Sequence, residues 1–378
     1  MMRGKREETL RWLEASGLRG RGGAWFETHK KWRAVLAEDG VPFVIGNGGE
    51  GEPGSIKDRF VMRTRPDEVV MGLKLAMDTL GAEAGYLYLK GSFHEEERRL
   101  KGAIQEKGLT SAIKVHLGDD TYVGGEETAL LESIEGRVAW PRPKPPRPAS
   151  VGLFGRPTLV QNVDTLARVS EALRLGAYFA ASDHLTLTIW GDVHSPGAFD
   201  VKPGRTVLDV IEREAQGATG GIGWVFPNGA QSLPLSHGQL NEPIDRVTSL
   251  LVLDDTTSHH SILGSVARFF ELESCGQCPP CVLGTANLRS LVTGDRPQTK
   301  RLAPQAALSE TASFMSMHGY CSHSRSGAAA VTSLFWLWQT QILEHLRTGI
   351  TPSGTRERDP FARDSKERGA LEAFLRGV

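Results

Sequence analysis

Val41-Pro-Phe-Val-Ile45 runs directly into Gly46-Asn-Gly-Gly-Glu-Gly-Glu-Pro-Gly54, an apolar, β-branched stretch followed by nine residues of which five are glycine. This junction predicts a strand over 41–45 that empties into a loop with little side-chain cover. Downstream, Pro66 opens a helical pattern carried by Val69, Val70, Leu73, Met77 and Leu80, and Gly81 closes it. Tyr86 to Leu89 reads as a second strand, His94 to Lys107 as a charged surface helix and Ile113 to Leu117 as a third strand. A β-α-β-α-β succession is the mark of an open, largely parallel sheet with helices on its faces, so the fold class is α/β. Such sheets bind ligands outside the carboxyl ends of their strands, which is where the 46–54 loop falls.

Upstream, a short helix-like lead gives way to Gly17-Leu-Arg-Gly-Arg-Gly-Gly23, four glycines and two arginines in seven residues, which excludes regular structure. Downstream, Pro141-Arg-Pro-Lys-Pro-Pro-Arg-Pro148 is an extended strap or stiff spacer. From Leu185 the pattern alternates (Leu185, Leu187, Ile189), turns at Ser195 to Gly197, enters a short helix from Thr206 to Glu214 and adds a strand at Leu250 to Leu253. That is a compact α+β unit ending near Ser258. Beyond it, Ile262 to Leu272, Val282 to Leu291 and Ala329 to Leu346 have helical spacing and predict a bundle, followed by a loose, charge-rich tail.

With 378 residues the chain has room for two or three domains. Lys+Arg 44 against Asp+Glu 45 leaves a formal charge of −1, so no bulk field draws it to nucleic acid or anionic lipid. Arg19 to Gly23 resembles a single-stranded RNA element, but it occurs once on a neutral chain. No apolar run reaches the roughly 18 residues of a membrane span, and Glu7, Glu8, Arg11 and Glu14 interrupt any apolar leader after Met1 to Arg6. The expected compartment is the cytoplasm.

The four cysteines are therefore expected to be metal ligands or redox groups rather than disulfides. Three of them form Cys275-Gly-Gln-Cys278-Pro-Pro-Cys281, and Cys321 stands forty positions further on. Three thiolates at two-residue separation with a remote fourth suit the corners of a [4Fe-4S] cluster. Zinc usually takes two separated cysteine pairs. His318 and His323 flank Cys321 but are not counted as ligands.

Backbone amides of the glycine loops, unshielded near helix N-termini, suit a phosphate. Beside an iron-sulfur motif they point to a redox cofactor carrying phosphate, with flavin nucleotide the natural candidate. Gly124-Gly125-Glu126-Glu127-Thr128-Ala129 starts a helix running to Ile134. Its two carboxylates either favour the helix dipole or hydrogen-bond a ribose or nicotinamide amide, and composition does not separate these.

Gly17 to Ala24, Asn47 to Arg59, Gly125 to Gly136, Gly152-Leu-Phe-Gly-Arg-Pro-Thr158 with Asn162, and Glu273 to Cys281 occur together and in order. In these segments the chain resembles the flavoprotein, NADH-binding (NuoF-type) subunit of respiratory complex I, shared by NAD-linked hydrogenases and formate dehydrogenases. The resemblance implies a Rossmann-like FMN and nucleotide domain over 1–180, a small ubiquitin-like (SLBB) α+β domain over 184–258, a helical [4Fe-4S] bundle over 259–350 and a charged tail over 351–378. It further implies an NADH dehydrogenase-type oxidoreductase in which NADH delivers hydride to FMN, and electrons pass singly to the [4Fe-4S] cluster and onward. The implied partners are a small iron-sulfur (NuoE-like) subunit and a further electron-transfer subunit, with peripheral attachment to the inner membrane through a larger complex.

Carried across residue by residue, Gly20, Arg21, Gly22 and Lys31 stand in the family's first FMN loop, Asn47 and Glu50 in the second, and Tyr122, Gly125, Glu126 and Glu127 in the third, with Asn162 and Thr165 a fourth contact. Phe26, Glu52 and Lys144 stand at positions associated with NADH, and Cys275, Cys278, Cys281 and Cys321 at the cluster ligands. The departures cluster at the same site. Trp25 stands where a family glycine lets cofactor and backbone approach, Gly49 where a carboxylate is expected, Ala34 and Arg147 where aromatic residues clamp adenine, Gln161 for an asparagine and Val282 for an arginine. These leave two expectations: a working NADH or NADPH site, Arg147 favouring the latter, or a divergent relay subunit built round the cluster.

Overall fold

The computed structural model describes residues 3–176, 184–295 and 304–378. Its first sheet is four-stranded and parallel, with β1 (Phe43–Asn47), β2 (Gly85–Lys90), β3 (Ile113–Gly118) and β4 (Thr158–Asn162) in the order β3-β2-β1-β4. The α/β expectation therefore holds, and the three expected strands lie within about two residues of their expected bounds. The 152–162 segment, in the sequence a motif without a strand signal, supplies the fourth strand. Because β4 returns to the far side of β1, the strand order reverses between them, and their last residues, Asn47 and Asn162, are register partners at that switch point.

Side chains alternate across this sheet with period two. Val44, Leu87, Leu89 and Leu159 face one core, which α1 (Arg3–Ala15), α2 (Thr28–Leu36), α3 (Lys57–Thr64), α4 (Pro66–Leu80), α5 (His94–Glu106) and α7 (Val163–Leu175) cover. Phe43, Ile45, Tyr88 and Val160 face a smaller core closed by Leu130 and Leu131 of α6 (Ala129–Ile134). Fully buried Trp32 anchors the larger one, a burial worth on the order of 5 kcal/mol in transfer free energy.

The second sheet holds β5 (Leu185–Gly191), β6 (Gly197–Val201), β7 (Ile222–Pro227) and β8 (Ser249–Asp254) in the order β6-β5-β8-β7. Its central pair is parallel and its outer pairs antiparallel. One face packs on α8 (Val207–Glu214) through Leu187, Ile189, Val210 and Ile211. The other presents Trp190, Phe226, Leu251 and Leu253 to a helical layer.

That layer comprises α9 (His259–Leu272), α10 (Pro279–Thr293), α11 (Pro304–His318), α12 (Ser322–Leu337) and α13 (Gln339–Thr348). The sequence pattern over 329–346 reads as one helix, whereas the structure breaks it at Trp338, buried against Trp224, Phe226 and His259. The charge-rich end is not loose: α14 (Lys366–Arg376) buries Leu371 and Leu375, and Arg63 and Arg99 donate to the carbonyls of Leu375 and Val378. Its apolar residues recur too sparsely among charges to stand out until another surface receives them. The end of the first expected unit, 177–180, lies outside the described residues. No helix among the described residues is long and apolar enough to cross a membrane.

Candidate functional site

The carboxyl ends of β1 and β4 open into a cavity of about 600 Å³, within the size range of cofactor pockets. All three parts of the chain line it: Arg21, Gly22, Asn47, Gly49, Glu50, Glu52, Tyr122, Gly125, Glu126 and Asn162 from the first, Asn228, Gln231, Ser232 and Thr248 from the second, and Cys321, Ser322 and His323 from the helices.

Its floor is held together by side chains spent on backbone. Asn47 donates through Nδ2 to the carbonyl of Gly125 at 2.8 Å and accepts from the Gly49 amide at 3.0 Å. Asn162 caps α7, accepting from the amides of Asp164 and Thr165, and donates to Asp58 at 2.8 Å. Thr165, fully buried, accepts the Arg21 amide at 2.8 Å. Glu50 accepts from Ser55 and from the amides of Asp58 and Arg59 at the start of α3. Glu126 accepts from Thr128 and Ala129 at the start of α6, so the dipole role is the one its geometry fills.

The glycines let these loops touch. A Cβ on Gly125 would lie 2.3 Å from the Gly49 carbonyl oxygen, so the second and third loops meet backbone to backbone beside the cavity. The result is a cradle of main chain that a planar, phosphate-bearing cofactor fits and a side chain would fill.

Not every expected residue reaches this cavity. Gly20, Phe26, Lys31, Glu127, Lys144 and Thr165 do not line it. Lys144 bridges Glu126 and Glu127 at 2.6 and 2.7 Å, and Lys31 stands 3.8 Å from Glu127, so these form an ion-pair cluster behind the third loop. Burial pulls the Lys31 ammonium below its usual value, with Glu127 opposing. Phe26 is exposed, its carbonyl accepting the Gly20 amide, and Ala34 and Arg147 are exposed as well.

Trp25 corrects the expectation of an indole in the cofactor space. At φ 51° it turns into the apolar core of the second sheet, with the Arg21 guanidinium 5.0 Å over its ring. A bulky residue is accommodated because it packs against the second sheet.

Two carboxyls at the cavity, Glu52 of the expected set and Asp58, are held by contacts that the sequence does not show. Glu52 accepts from the Tyr122 hydroxyl (3.1 Å), the Ala230 amide (3.0 Å) and Gln231 Nε2 (2.6 Å), and Gln231 also donates to Tyr122. Burial raises Glu52 to about 7, against these donors. Asp58 is paired with buried Lys57 and is pushed up by burial. Gln231 carries no sequence signal, lying 179 residues from its partner. Lys57 and Asp58 lie in the Lys57-Asp-Arg59 segment, where nothing local sets them apart from a surface ion pair.

The thiols stand at helix starts. Cys278 is the residue before α10, with Pro279 in that helix's first turn, and Cys321 the residue before α12, both in extended conformation. Gly276, at φ 80°, makes the turn between Cys275 and Cys278 that a side chain would strain. The cysteines form no disulfide, and their charges act on one another: burial pushes Cys281 up to about 12, with Cys278, Cys321 and Cys275 adding to the rise. The four thiols lie near enough for their charges to act on one another and two of them stand directly before helix N-termini, an all-sulfur donor set whose chemistry suits a group of several metal ions. Among the described residues, no three His, Cys, Asp or Glu side chains converge on a single ion. His323 is engaged elsewhere, its Nε2 2.9 Å from the Phe270 carbonyl.

Comparison with known proteins agrees with this geometry. The family described as Nuo51 FMN-binding domain matches residues 13–171, and that described as NADH-ubiquinone oxidoreductase-F iron-sulfur binding region matches 261–345. The chain is 35% identical over 324 residues to the F subunit of the NADH-quinone oxidoreductase of Rickettsia bellii, covering 75% of this chain and 78% of that protein. It is 36% identical over 332 residues to its counterpart in Rhodobacter capsulatus, covering 77% of each. Among solved structures, an NAD+-reducing [NiFe]-hydrogenase in its H2-reduced state superposes with a TM-score of 0.81 at 29% identity, covering 94% of this chain and 64% of that one, so the chain spans about two thirds of its length. A parallel sheet whose glycine loops and a cluster-motif thiol share one cavity, with relatives matched over three quarters of the chain, places this protein in the NuoF family of NADH-quinone oxidoreductase subunits.

Proposed function

We propose that this chain is the electron-input subunit of an NADH dehydrogenase-type oxidoreductase, receiving reducing equivalents from NADH and passing them to a partner subunit. The observation that carries this reading is Cys321, which lines the same cavity as Asn47, Gly125 and Glu126. A ligand thiol in the wall of the flavin space leaves no intervening layer for electrons to cross.

FMN bound there supplies the conversion of hydride acceptance to single-electron donation, and a [4Fe-4S] cluster supplies a one-electron store. The chain's own task is holding and shielding. Gly22, Gly49 and Gly125 bring backbone to the cofactor, Asn47 and Asn162 lock the loops, and Lys31, Lys144, Glu126 and Glu127 fix the third loop from behind. Glu52 and Tyr122 form a hydrogen-bonding edge at which a nicotinamide or ribose could be held. Cys275, Cys278, Cys281 and Cys321 hold the cluster, and two helix dipoles offset its negative charge.

The reading divides the chain into a Rossmann-like domain over 1–180, a ubiquitin-like SLBB domain over 184–258, supported by the β6-β5-β8-β7 order with its parallel central pair, and a cluster-bearing bundle over 259–350. Leu272, Leu283, Met317 and Tyr320 are exposed on the cysteine-bearing helices and their flanks, apolar surface suited to a small iron-sulfur (NuoE-like) partner or a further electron-transfer subunit. The working place is the cytoplasmic side of the inner membrane, within a larger complex.

Anaerobic titration of the purified protein with NADH and NADPH tests the reading. The expected result is a flavin spectrum bleached by one nucleotide, together with four irons per chain. Iron-sulfur absorbance without flavin, or flavin that neither nucleotide bleaches, would overturn it in favour of a relay subunit that no longer oxidises nucleotides.

A further inference from the structure

The second sheet does more than pack beside the first: it grips the loop that carries Glu52. The Ile56 amide donates to the Thr188 hydroxyl at 2.9 Å, and a Cβ on Gly54 would lie 1.9 Å from the Trp190 ring, so loop and sheet are in direct contact. Beyond β7 the chain turns sharply at Asn228 (φ 60°) and Gly229 (φ 72°). Asn228 fixes the turn, accepting from the amide and hydroxyl of Thr248 at 2.7 and 2.9 Å and donating to the Arg246 carbonyl. A side chain on Gly229 would run into the Glu52 carboxyl, 2.2 Å from where its Cβ would stand. The turn thereby delivers the Ala230 amide and the Gln231 side chain to Glu52.

Gln231 spends both hydrogens of its Nε2 here, one on Glu52 at 2.6 Å and the other on the Tyr122 hydroxyl at 3.0 Å, and that hydroxyl donates in turn to Glu52 at 3.1 Å. Three side chains from three remote segments close a triangle in the wall of the first cavity. The titratable groups around it are engaged elsewhere: Glu50 with Ser55 and the amides of α3, Glu273 with Arg363 and the Tyr122 amide, and His323 with the Phe270 carbonyl. Burial raises Glu52 to about 7, and Gln231 is the strongest of the three donors that hold it down. A carboxyl that titrates near neutral pH changes role with one proton, since only the ionised form is a pure acceptor for amide and hydroxyl donors of a ligand.

We propose that Gln231 is a positioning residue of the electron-input reaction: it sets the orientation and charge of Glu52, so that the second sheet supplies part of the nucleotide site. The proposal rests on the reading that the first cavity takes NADH or NADPH, and it assigns to the turn at 228–231 the control of how tightly that nucleotide is held.

Steady-state oxidation of whichever nucleotide bleaches the parent's flavin, followed in the flavin- and iron-loaded protein with ferricyanide as acceptor from about pH 6 to about 9, tests it. In the parent, KM should fall as pH rises through about 7 and Glu52 ionises. Gln231→Met removes the amide at an exposed position, so KM at neutral pH should rise about tenfold with kcat little changed, and the midpoint of the KM profile should move to higher pH. Gln231→Glu, which sets a second carboxyl beside Glu52, should move that midpoint further. In a Glu52→Gln background, Gln231→Met should add no pH-dependent change. A KM profile unchanged in both Gln231 variants, or a pH-dependent change that persists without the Glu52 carboxyl, would overturn the role of Gln231 and leave the nucleotide reading standing. A parent flavin that neither nucleotide bleaches would overturn the nucleotide reading and this inference with it.

Discussion

The glycine-lined cavity and the cysteine-bearing helices are built on opposite principles. The first works through main chain: its asparagines and acids are consumed in tying loops and capping helices, and its glycines matter for what they lack. The second works through side-chain sulfur, with the backbone serving to aim it. A backbone site therefore tolerates changed side chains provided the main-chain path survives, as Trp25 does by packing into the second sheet. A ligand site has no such latitude.

The sharpest break of this contrast is Cys278→Ser. Removing one buried thiol should abolish the [4Fe-4S] content and loosen α10 and α12, because cluster ligation and local folding are coupled. Iron and sulfide assay, with helix content by circular dichroism, checks it, and normal iron would refute the ligand assignment.

Next in size is Gly125→Ala, a single methyl group. Its Cβ would collide with the Gly49 carbonyl, so the loops must part at a cost of about 1–3 kcal/mol. Flavin content should fall severalfold while iron stays normal. Unchanged flavin would show that the cradle is not set by this contact.

Glu52 sharpens the comparison through pH. Its carboxyl titrates at about 7 in the folded protein against an ordinary 4.5, so the folded state binds the extra proton between those values. Its contribution is fully present below about 4.5 and is lost as pH rises through 7. Glu52→Gln cannot ionise, so its stability relative to the parent should grow from pH 5 to pH 8 by about 2–3 kcal/mol. Parallel denaturation profiles would show that Glu52 is not desolvated.

The smallest effect on the cofactor site itself is expected of Trp25→Gly. Lost packing of a large aromatic costs about 3–5 kcal/mol at most, partly offset by relief of a positive φ. Stability should drop moderately with flavin per folded molecule unchanged. A rise in flavin would return the indole to the cofactor space.

The thiol motif, the strand-and-loop junction at 41–54 and the α/β class are legible because each is encoded within a few residues. Asn47, Gly125, Glu126 and Asn162 stand out in the sequence and do meet at one cavity. Gln231 does not stand out, since an amide in a turn becomes a partner of Glu52 only when the second sheet docks on the first. The same holds for β4, whose pairing with β1 joins residues more than a hundred apart, and for α14.

Local chemistry alone thus settled the period of the strands, the glycine loops at their ends and the sulfur donor set, because periodicity and spacing are properties of neighbours in the chain. Tertiary structure decided which loops touch, that Trp25 leaves the cavity and that Cys321 enters its wall. Those outcomes depend on burial and on distances between remote segments, which take their values only when the whole chain has packed.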